Sequence, residues 1–331
     1  MVPTTKFPAR LSLLFFAVII LFTSPVLAVE GKITGYRSIF QPCYDGAGEL
    51  RFAIRRYERS GTPHILLVNP KTFETTVAPI ASLNAFEAPV GLAAIRATLF
   101  DRALTRYTSP PYKLQNHGAV RAANPVDGMF LTVDMCPSRR PFEKEFFSVL
   151  AGLSRKSGRP TPVALCMTGL WLENHREELA WLLQQVRDGR LAITWVNHSF
   201  THPYDPKTPL ARNFLLSPGI DFEREVLATE QLMLENGLVP SPFFRFPGLV
   251  ADGRVLEKLR QLSLIPIGSD AWLAKGEQPR PGSFILVHGN GNEPAGIAKV
   301  LPLLRDGGLR LLPLGEAFAP RQQGAADLGK E

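Results

Sequence analysis

The sequence predicts an α/β protein whose strands form a parallel sheet, either open or closed into a barrel. Three observations predict this class. From about Met129 onward, short apolar runs of strand length alternate with longer segments of helical periodicity. Of the 331 residues, 45% are hydrophobic and 20% are charged, which is the composition of an ordinary folded protein. Polar residues of chemical interest follow the ends of the apolar runs, where parallel sheets place functional groups.

Seven short apolar runs predict the strands. In chain order these are Met129–Asp134, Pro162–Met167, Leu191–Val196, Phe243–Phe246, Leu264–Gly268, Phe284–His288 and Leu309–Leu312. Segments with apolar residues at helical spacing lie among them and predict helices. These are Pro141–Lys156, Leu172–Val186, Asp221–Asn236, Asp252–Leu262 and Ala295–Arg305. Because helical crossovers return the chain to the same edge of a sheet, we expect the strands to pair in parallel.

Residues 29–125 do not follow this pattern. Ile65–Val68 predicts a strand and Pro89–Leu104 contains a predicted helix, but the region ends in turn signals at Pro110-Pro111 without regular alternation. We therefore expect a small separate domain or a cap. The chain then divides into a leader (1–28), this N-terminal region, a main domain (126–320) and a polar tail (321–331).

The leader has the pattern of an export signal. Lys6 and Arg10 precede the apolar run Leu11–Phe22, and small side chains lead to a predicted cut after Ala28. We expect a periplasmic or extracellular protein, whereas an uncleaved signal would anchor it to the membrane. The net charge of +7 includes no Lys/Arg block longer than a pair, so no nucleic-acid groove is predicted.

Three cysteines, Cys43, Cys136 and Cys166, are too few for a disulfide scaffold. At most one bridge can form among them. Cys136 and Cys166 are the candidate pair in an oxidising compartment, because both lie near the ends of runs that predict adjacent strands. Buried free thiols are the alternative.

His198 and His202 follow the strand predicted at Leu191–Val196. Two imidazoles four residues apart on one helical turn point the same way and can share a divalent metal ion. The alternative is a pair of partly exposed histidines at the start of a helix. A zinc protease would carry a glutamate directly after the first histidine, where this chain has Ser199. The carboxylate must come from elsewhere, and Asp134 at the end of the first predicted strand is the candidate.

Three further polar residues lie near the ends of predicted strands. Arg245 follows an apolar run, where a cation usually needs a carboxylate partner. Asp270 follows another run, and His288 closes the run Phe284–His288. Each alone is compatible with a structural role, but together at the ends of one sheet they predict a common site.

These residues occur in an order that resembles the polysaccharide deacetylases of the NodB-homology type, carbohydrate esterase family 4. The resemblance covers roughly residues 129–318 and depends on five motifs. They are Thr132-Val133-Asp134 with Pro137, His198-Ser199 with His202-Pro203, Arg245-Phe246-Pro247, Asp270 with Trp272, and Leu286-Val287-His288. The resemblance implies a distorted (β/α) barrel of about seven parallel strands, preceded by a small N-terminal region or cap. It also implies metal-assisted removal of acetyl groups from an acetylated polysaccharide or peptidoglycan.

The resemblance implies a role for each residue of the site. His198 and His202 would bind Zn²⁺ or another divalent ion, which polarises the acetyl carbonyl. Asp134 would be the general base that takes a proton from water, and Arg245 would orient it. The oxyanion of the intermediate would face the metal and a backbone N–H near the first motif or near Gly248.

On the leaving-group side, the resemblance implies that His288 protonates the departing amine. Asp270 would hold the imidazole of His288 charged and in position. Trp272 and Leu286 would line the pocket for the acetyl methyl group, with simple core packing as the alternative for both.

Two positions depart from the family's pattern. Met135 stands where the family commonly has a second aspartate as the third metal ligand, and a neutral thioether is a poor ligand for zinc. Asp134 or Cys136 would have to supply that ligand, or the two histidines would bind the metal with water alone. Ala271 also separates Asp270 from its tryptophan. The predicted function is therefore an exported deacetylase, with a catalytically silent, deacetylase-like carbohydrate-binding protein as the alternative.

Overall fold

The protein is described by a computed structural model that covers residues 32–320. The predicted export signal and the polar tail lie outside the described residues. None of the helices between residues 32 and 320 has the length and apolar character needed to span a bilayer.

Two sheets make up the fold. Four antiparallel strands form the N-terminal sheet in chain order: β1 (Ile33–Tyr44), β2 (Leu50–Arg59), β3 (Thr62–Val68) and β4 (Thr75–Pro79). Seven parallel strands form the main sheet: β5 (Phe130–Met135), β6 (Thr161–Met167), β7 (Leu191–Asn197), β8 (Pro240–Phe244), β9 (Ile265–Pro266), β10 (Ala271–Trp272) and β11 (Phe284–His288). The main sheet has the order β10-β11-β5-β6-β7-β8-β9 and curls into a half-barrel. The predicted α/β class and the distorted (β/α) barrel are confirmed.

One of the seven predicted strands is wrong. Leu309–Leu312 makes only an isolated bridge, between Leu311 and Met129. The leucines of this segment are buried, so their apolar pattern reflects burial and not strand pairing. The seventh strand is β10, whose two residues are too few to give a periodic signal.

Eight α-helices lie in the described part of the chain. They are α1 (Leu92–Arg96), α2 (Leu99–Tyr107), α3 (Lys144–Ser157), α4 (Gly169–Asn174), α5 (Arg176–Arg187), α6 (Phe222–Glu235), α7 (Gly253–Gln261) and α8 (Pro294–Arg305). The helix predicted at Leu172–Val186 is two helices, because His175 has a non-helical backbone with φ −128° and ψ 51°. The helix predicted at Pro89–Leu104 also divides, and Thr98 caps the second half by accepting a hydrogen bond from the backbone N–H of Asp101.

Alternation along β5 separates the two faces of the main sheet. Leu131, Val133 and Met135 join the apolar cluster under helices α3 and α8 on one face. Met135 is fully buried there, so close to Gly289 that a Cβ on that glycine would lie 2.8 Å from the Met135 sulfur. Because successive side chains of a strand point to opposite faces, Asp134 lies on the other face, which belongs to the interior of the half-barrel.

The N-terminal sheet packs against this interior and is not a separate body. Phe52 and Ile54 of β2 belong to one apolar cluster with Phe243 and Ile267 of the main sheet region. Beside this cluster, Arg55 Nε lies 2.6 Å from the Glu230 carboxylate on α6, and both side chains are fully buried. The cation also donates to the Leu262 carbonyl at 2.7 Å. A buried charge pair with these added hydrogen bonds fixes the sheet on the barrel in one orientation.

A strap of residues 115–122 runs from the edge strand β9 to β11, the neighbour of the other edge strand β10. Ala119 bridges to Ile267 after β9, and Arg121 bridges to Ser283 before β11. At Gly118 the strap has φ +124° and runs so close to Pro266 that a Cβ would lie 2.4 Å from its carbonyl oxygen, so only glycine fits. The strap therefore satisfies backbone groups that an open sheet edge would expose.

Candidate functional site

Asp134, His198, Arg245 and His288, four of the residues predicted to form the site, converge at the carboxyl ends of strands β5, β7, β8 and β11. Asp134 on β5 and His288 on β11 are register partners in neighbouring strands. Cys136 directly follows β5, and His198 directly follows β7. The parallel sheet thus brings together residues separated by more than a hundred positions in sequence, as strand-end placement predicted.

His198 and His202 lie together, but they are not on a helical turn. The segment that follows β7 is irregular, and Ser199 and His202 have positive φ values of 71° and 48°. Two left-handed residues within four positions exclude a helix. The prediction of a helical pair is therefore wrong in conformation, although the imidazole ring centroids lie 4.9 Å apart.

A glutamate that sequence reasoning missed fixes this histidine loop. Glu225 on α6 is buried, and its carboxylate accepts the backbone N–H groups of Phe200 and Thr201, both at 2.8 Å. The Asn197 side chain accepts the N–H of Ser199 at 2.9 Å. These contacts supply the hydrogen bonds that a helix would otherwise provide, which explains how the loop holds its unusual backbone.

Cys136, His198 and His202 form the one cluster of metal-ligating side chains found among residues 32–320, with ligand atoms within 4.8 Å of one another. The Cys136 sulfur lies 3.6 Å from His198 Nε2. A tetrahedral zinc ion with normal bond lengths separates a sulfur and a nitrogen ligand by about 3.5 Å. His198 Nδ1 lies 2.7 Å from the Arg245 carbonyl oxygen, which leaves Nε2 for a metal ion. The donor set therefore fits Zn²⁺.

The electrostatics of this cluster favour a thiolate. Burial by itself would raise the pKa of the Cys136 thiol, but the charge of His202 and hydrogen bonds from His198, His202 and His288 bring it well below its usual range. In return, the pKa of His202 is raised, since the nearby Cys136 sulfur outweighs the effect of burial. A thiolate next to imidazoles is a strong ligand arrangement for zinc.

Cys136, and not Met135, faces the histidines. The Met135 side chain points to the opposite face of the sheet and joins the apolar cluster there. It therefore does not reach the site and does not take the place of an aspartate ligand. Two hydrogen bonds fix the backbone at this point, from Asn290 Nδ2 to the Cys136 carbonyl and from Thr168 Oγ1 to the Met135 carbonyl, at 2.7 and 2.8 Å. Of the alternatives for a third ligand, the structure brings the thiol into the cluster and leaves Asp134 beside it.

All three cysteines are free and buried. The candidate bridge between Cys136 and Cys166 does not form. Cys166 is the register partner of Asp134 inside β6, whereas Cys136 lies past the strand end with its sulfur toward the histidines. Burial raises the pKa of Cys166 well above its usual range, which keeps it protonated.

Asp134 is placed to act as a base. Its Oδ1 lies 3.3 Å from Arg245 Nη1, and its Oδ2 lies 3.7 Å from His198 Nε2. Burial opposes ionisation and has the largest single effect, but the charges of Arg245, His198 and His288 together lower the pKa of the carboxyl below its ordinary value. Arg245 is fully buried and is held by Thr132 Oγ1 at 2.8 Å and the Gly268 carbonyl at 3.2 Å. Arg245 therefore lies beside Asp134, and its charge favours the ionised form of that carboxyl.

The carboxylate that contacts His288 belongs to Glu293 and not to Asp270. His288 Nδ1 lies 2.8 Å from Glu293 Oε2, which also accepts a hydrogen bond from Trp272 Nε1 at 2.8 Å. Asp270 instead accepts the backbone N–H of Phe284 at 3.2 Å. Phe284 begins β11 and His288 ends it, so Asp270 lies at the wrong end of the strand, about 13 Å along it. The expected Asp270 contact is corrected on this ground.

Glu293 and His288 influence each other's charge. Burial disfavours the imidazolium, but hydrogen bonds to Cys136 and Glu293 raise the pKa of His288 well above its usual range. The pKa of Glu293 is lowered despite burial, because of its hydrogen bond to His288 and the charge of that ring. The pair therefore favours a protonated histidine facing the metal cluster.

Trp272 and Leu286, predicted to line the acetyl pocket, and Gly248, predicted to lie near the oxyanion, have different surroundings. Leu286 is fully buried within β11, next to Trp272 in register. The Trp272 ring lies 6.2 Å from the His288 ring. Gly248 has φ +60°, and a Cβ there would lie 2.4 Å from the Phe214 ring, so this position accepts only glycine.

A groove of about 570 Å³ lies directly beside the cluster, starting at the residue that follows Cys136. It is lined by Pro137, Ser138, Arg139, Leu170, Asn174 and His175. Its size is in the usual range for ligand sites, and its lining is a mixture of polar and apolar groups.

Comparison with known proteins gives one family match and several similar structures. A family model described as the RP012 protein N-terminal domain matches residues 34–91, which include most of the N-terminal sheet. A family 4 carbohydrate esterase from Bacillus anthracis is 18% identical, with 70% of this chain and 93% of that chain covered and a TM-score of 0.43. A family 4 carbohydrate esterase from Streptomyces lividans, in complex with acetate, is 19% identical, with 57% and 93% covered and a TM-score of 0.37. A pseudoenzyme of the same family from Bacillus anthracis is 12% identical, with 78% and 84% covered and a TM-score of 0.41. These structures are of the family that the five sequence motifs resemble.

Proposed function

We propose that this protein is an exported, metal-dependent deacetylase that removes acetyl groups from an aminosugar polysaccharide of the cell wall or an extracellular polymer. One observation carries the proposal: the Asp134 carboxylate, a Cys/His/His cluster and His288 with Glu293 beside it meet at one edge of the sheet. A base, a metal and an acid are the groups that amide or ester hydrolysis needs. Export follows from the pattern of residues 1–28.

Cys136, His198 and His202 would hold the metal, Zn²⁺ or another divalent ion. When bound, the metal supplies a Lewis acid for the acetyl carbonyl and a water molecule of lowered pKa. The Arg245 carbonyl keeps His198 in the tautomer that presents Nε2.

The protein's own side chains would move the protons. Asp134, ionised and paired with Arg245, accepts a proton from water at its carboxylate. His288 is oriented through Nδ1 by Glu293, so Nε2 is left to donate a proton to the leaving amine or alcohol. The polar groove beside Cys136 supplies room for a sugar unit next to the one that is deacetylated.

The proposal is tested by acetate release from peptidoglycan, chitooligosaccharide and poly-N-acetylglucosamine, with and without added metal. We expect about one divalent ion per chain after mild dialysis, and acetate release that a chelator abolishes. A chain that retains no metal and releases no acetate from the three polymers would contradict the proposal.

Met135 favours a second candidate, a catalytically silent carbohydrate-binding protein. Met135 stands in the position of a metal ligand of the family, and its side chain packs in the apolar core. In that case the chain would bind one of the polymers without releasing acetate, which the same panel detects when binding is measured alongside hydrolysis.

Glu293 and Asp270 are distinguished by paired substitutions. We expect Glu293→Gln to lower kcat by about 10- to 100-fold, because an uncharged amide holds the imidazolium of His288 less well. KM should change little, since Glu293 acts through His288. Asp270→Asn should leave both constants near their wild-type values, as its carboxylate contacts the start of β11. A large loss of kcat in Asp270→Asn with little loss in Glu293→Gln would restore the assignment made from the sequence.

A further inference from the structure

We infer that Tyr204 is a stacking platform for a pyranose ring of the substrate, beside the cluster of Cys136, His198 and His202. This inference depends on the proposed function and extends it to recognition of the polymer. Tyr204 follows the His202-Pro203 pair, and 61% of its surface is exposed, the largest exposed fraction of any tyrosine among residues 32–320. A single exposed aromatic side chain is common on protein surfaces, so the way in which this ring is held is what distinguishes it.

The exposed ring is fixed by a column of three aromatic rings, Tyr204, Phe214 and His202, that ends at a proposed metal ligand. The Tyr204 ring stacks on the Phe214 ring with centroids 5.0 Å apart and planes 20° from parallel. Phe214 is buried, and its ring meets the His202 ring edge-on at 5.8 Å. One face of Tyr204 is thus covered by protein, while the column connects it to a proposed metal ligand.

The loop that carries the column is held rigid by a buried asparagine. Asn213 Nδ2 donates to the carbonyls of Asp205 and Thr208 at 2.6 and 2.8 Å, and its Oδ1 accepts the N–H of Phe214 at 2.8 Å. Phe214 has a φ of +52°, which bulky residues rarely adopt. A loop held this firmly presents the Tyr204 ring in one position, so binding a sugar costs little further ordering.

Two other aromatic rings of the site, Trp272 and Phe214, each have a side chain packed on one face. The Lys275 ammonium lies 3.5 Å from the centroid of the Trp272 ring. Phe214 is covered by Tyr204 itself. The outer face of Tyr204 is exposed, so a pyranose ring can stack there with its C–H groups toward the electron-rich face of the phenol ring. The substrate class this implies is an oligomer, in which a sugar other than the acetylated one rests on the platform.

The test compares an oligosaccharide with a small acetyl ester that has no second sugar. We expect Tyr204→Ala to raise KM for the pentamer of N-acetylglucosamine by about 3- to 10-fold, and to leave kcat/KM for 4-nitrophenyl acetate unchanged. Tyr204→Phe should behave as wild type, because it keeps the ring. Tyr112→Ala is the matched control, since Tyr112 is also an exposed tyrosine but belongs to the strap side. An unchanged KM for the pentamer in Tyr204→Ala would overturn the inference.

Binding measurements distinguish a failure of the proposed function from a failure of this inference. If the wild-type chain releases no acetate from either compound, calorimetric binding of the pentamer still tests the platform. Weaker binding by Tyr204→Ala than by wild type and Tyr112→Ala supports it without any hydrolysis. Equal binding by all three chains, or no binding by wild type, overturns it.

Discussion

Asp134→Asn is expected to lower acetate release by at least about 100-fold while the fold stays intact. The amide keeps the shape of the carboxylate but does not accept a proton from water. Because Asp134 lies outside the Cys136, His198 and His202 cluster, the variant should retain its metal. The measurement is kcat/KM on the chitooligosaccharide, together with metal content and thermal unfolding of the same preparation.

The substitution also leaves the buried Arg245 cation without its anionic partner, so some loss of stability is expected. Asp270→Asn provides a control of the same chemical change at another strand end of the sheet. If Asp134→Asn retains activity, the base must be reassigned, and Glu293 is then the other carboxylate that faces the site.

The positions of the polar residues at the strand ends were predictable, because each of these residues directly follows an apolar run that forms a strand. Apolar runs marked the strands, and each polar residue that followed a run was placed at the same edge by parallel pairing. β11 has its predicted bounds, and Asp134 and His288 are register neighbours. Six of the seven predicted runs lie in the main sheet for the same reason.

The histidine pair shows where spacing alone misleads. A separation of four residues predicts proximity on a helix, yet here the two rings meet across a loop with positive φ values. That loop is held by Glu225, which is more than twenty positions away in sequence. The spacing of two histidines does not indicate such a distant hydrogen-bond acceptor. The sequence therefore predicted that the histidines lie together but not the conformation of the loop between them.

Glu293 and three of the four N-terminal strands were missed for related reasons. Glu293 lies on a loop before α8, where an acid has no periodic pattern to mark it as functional. Most residues of β1 are exposed or half-buried, so this strand shows no apolar run. In β2, Arg55 occupies a fully buried position that only its pairing with Glu230 makes tolerable, and the charge breaks the pattern. The sequence therefore predicted one strand of the N-terminal region, Ile65–Val68, which lies within β3, and did not predict β1, β2 or β4.

Cys136→Ala is expected to abolish stoichiometric metal binding and to lower acetate release by at least about 100-fold. Loss of a ligand should exceed the 10- to 100-fold losses that are usual for supporting groups. Metal content after dialysis and kcat/KM measured over a range of added Zn²⁺ check this result. If excess Zn²⁺ restores activity, the thiolate contributes affinity; if it does not, the thiolate is also needed for the geometry of the bound ion.

Met135→Leu is the matched control for Cys136→Ala. Leucine has a similar volume and keeps the apolar packing of position 135, so metal content and activity should stay near wild type. Thiol alkylation gives an independent measurement: Cys136 should resist the reagent until a chelator removes the metal. Cys43 adds no background, because burial raises the pKa of its thiol to about 11. Equal labelling with and without chelator, or metal loss in Met135→Leu, would contradict a Cys/His/His centre and return the third ligand to Asp134 or to water.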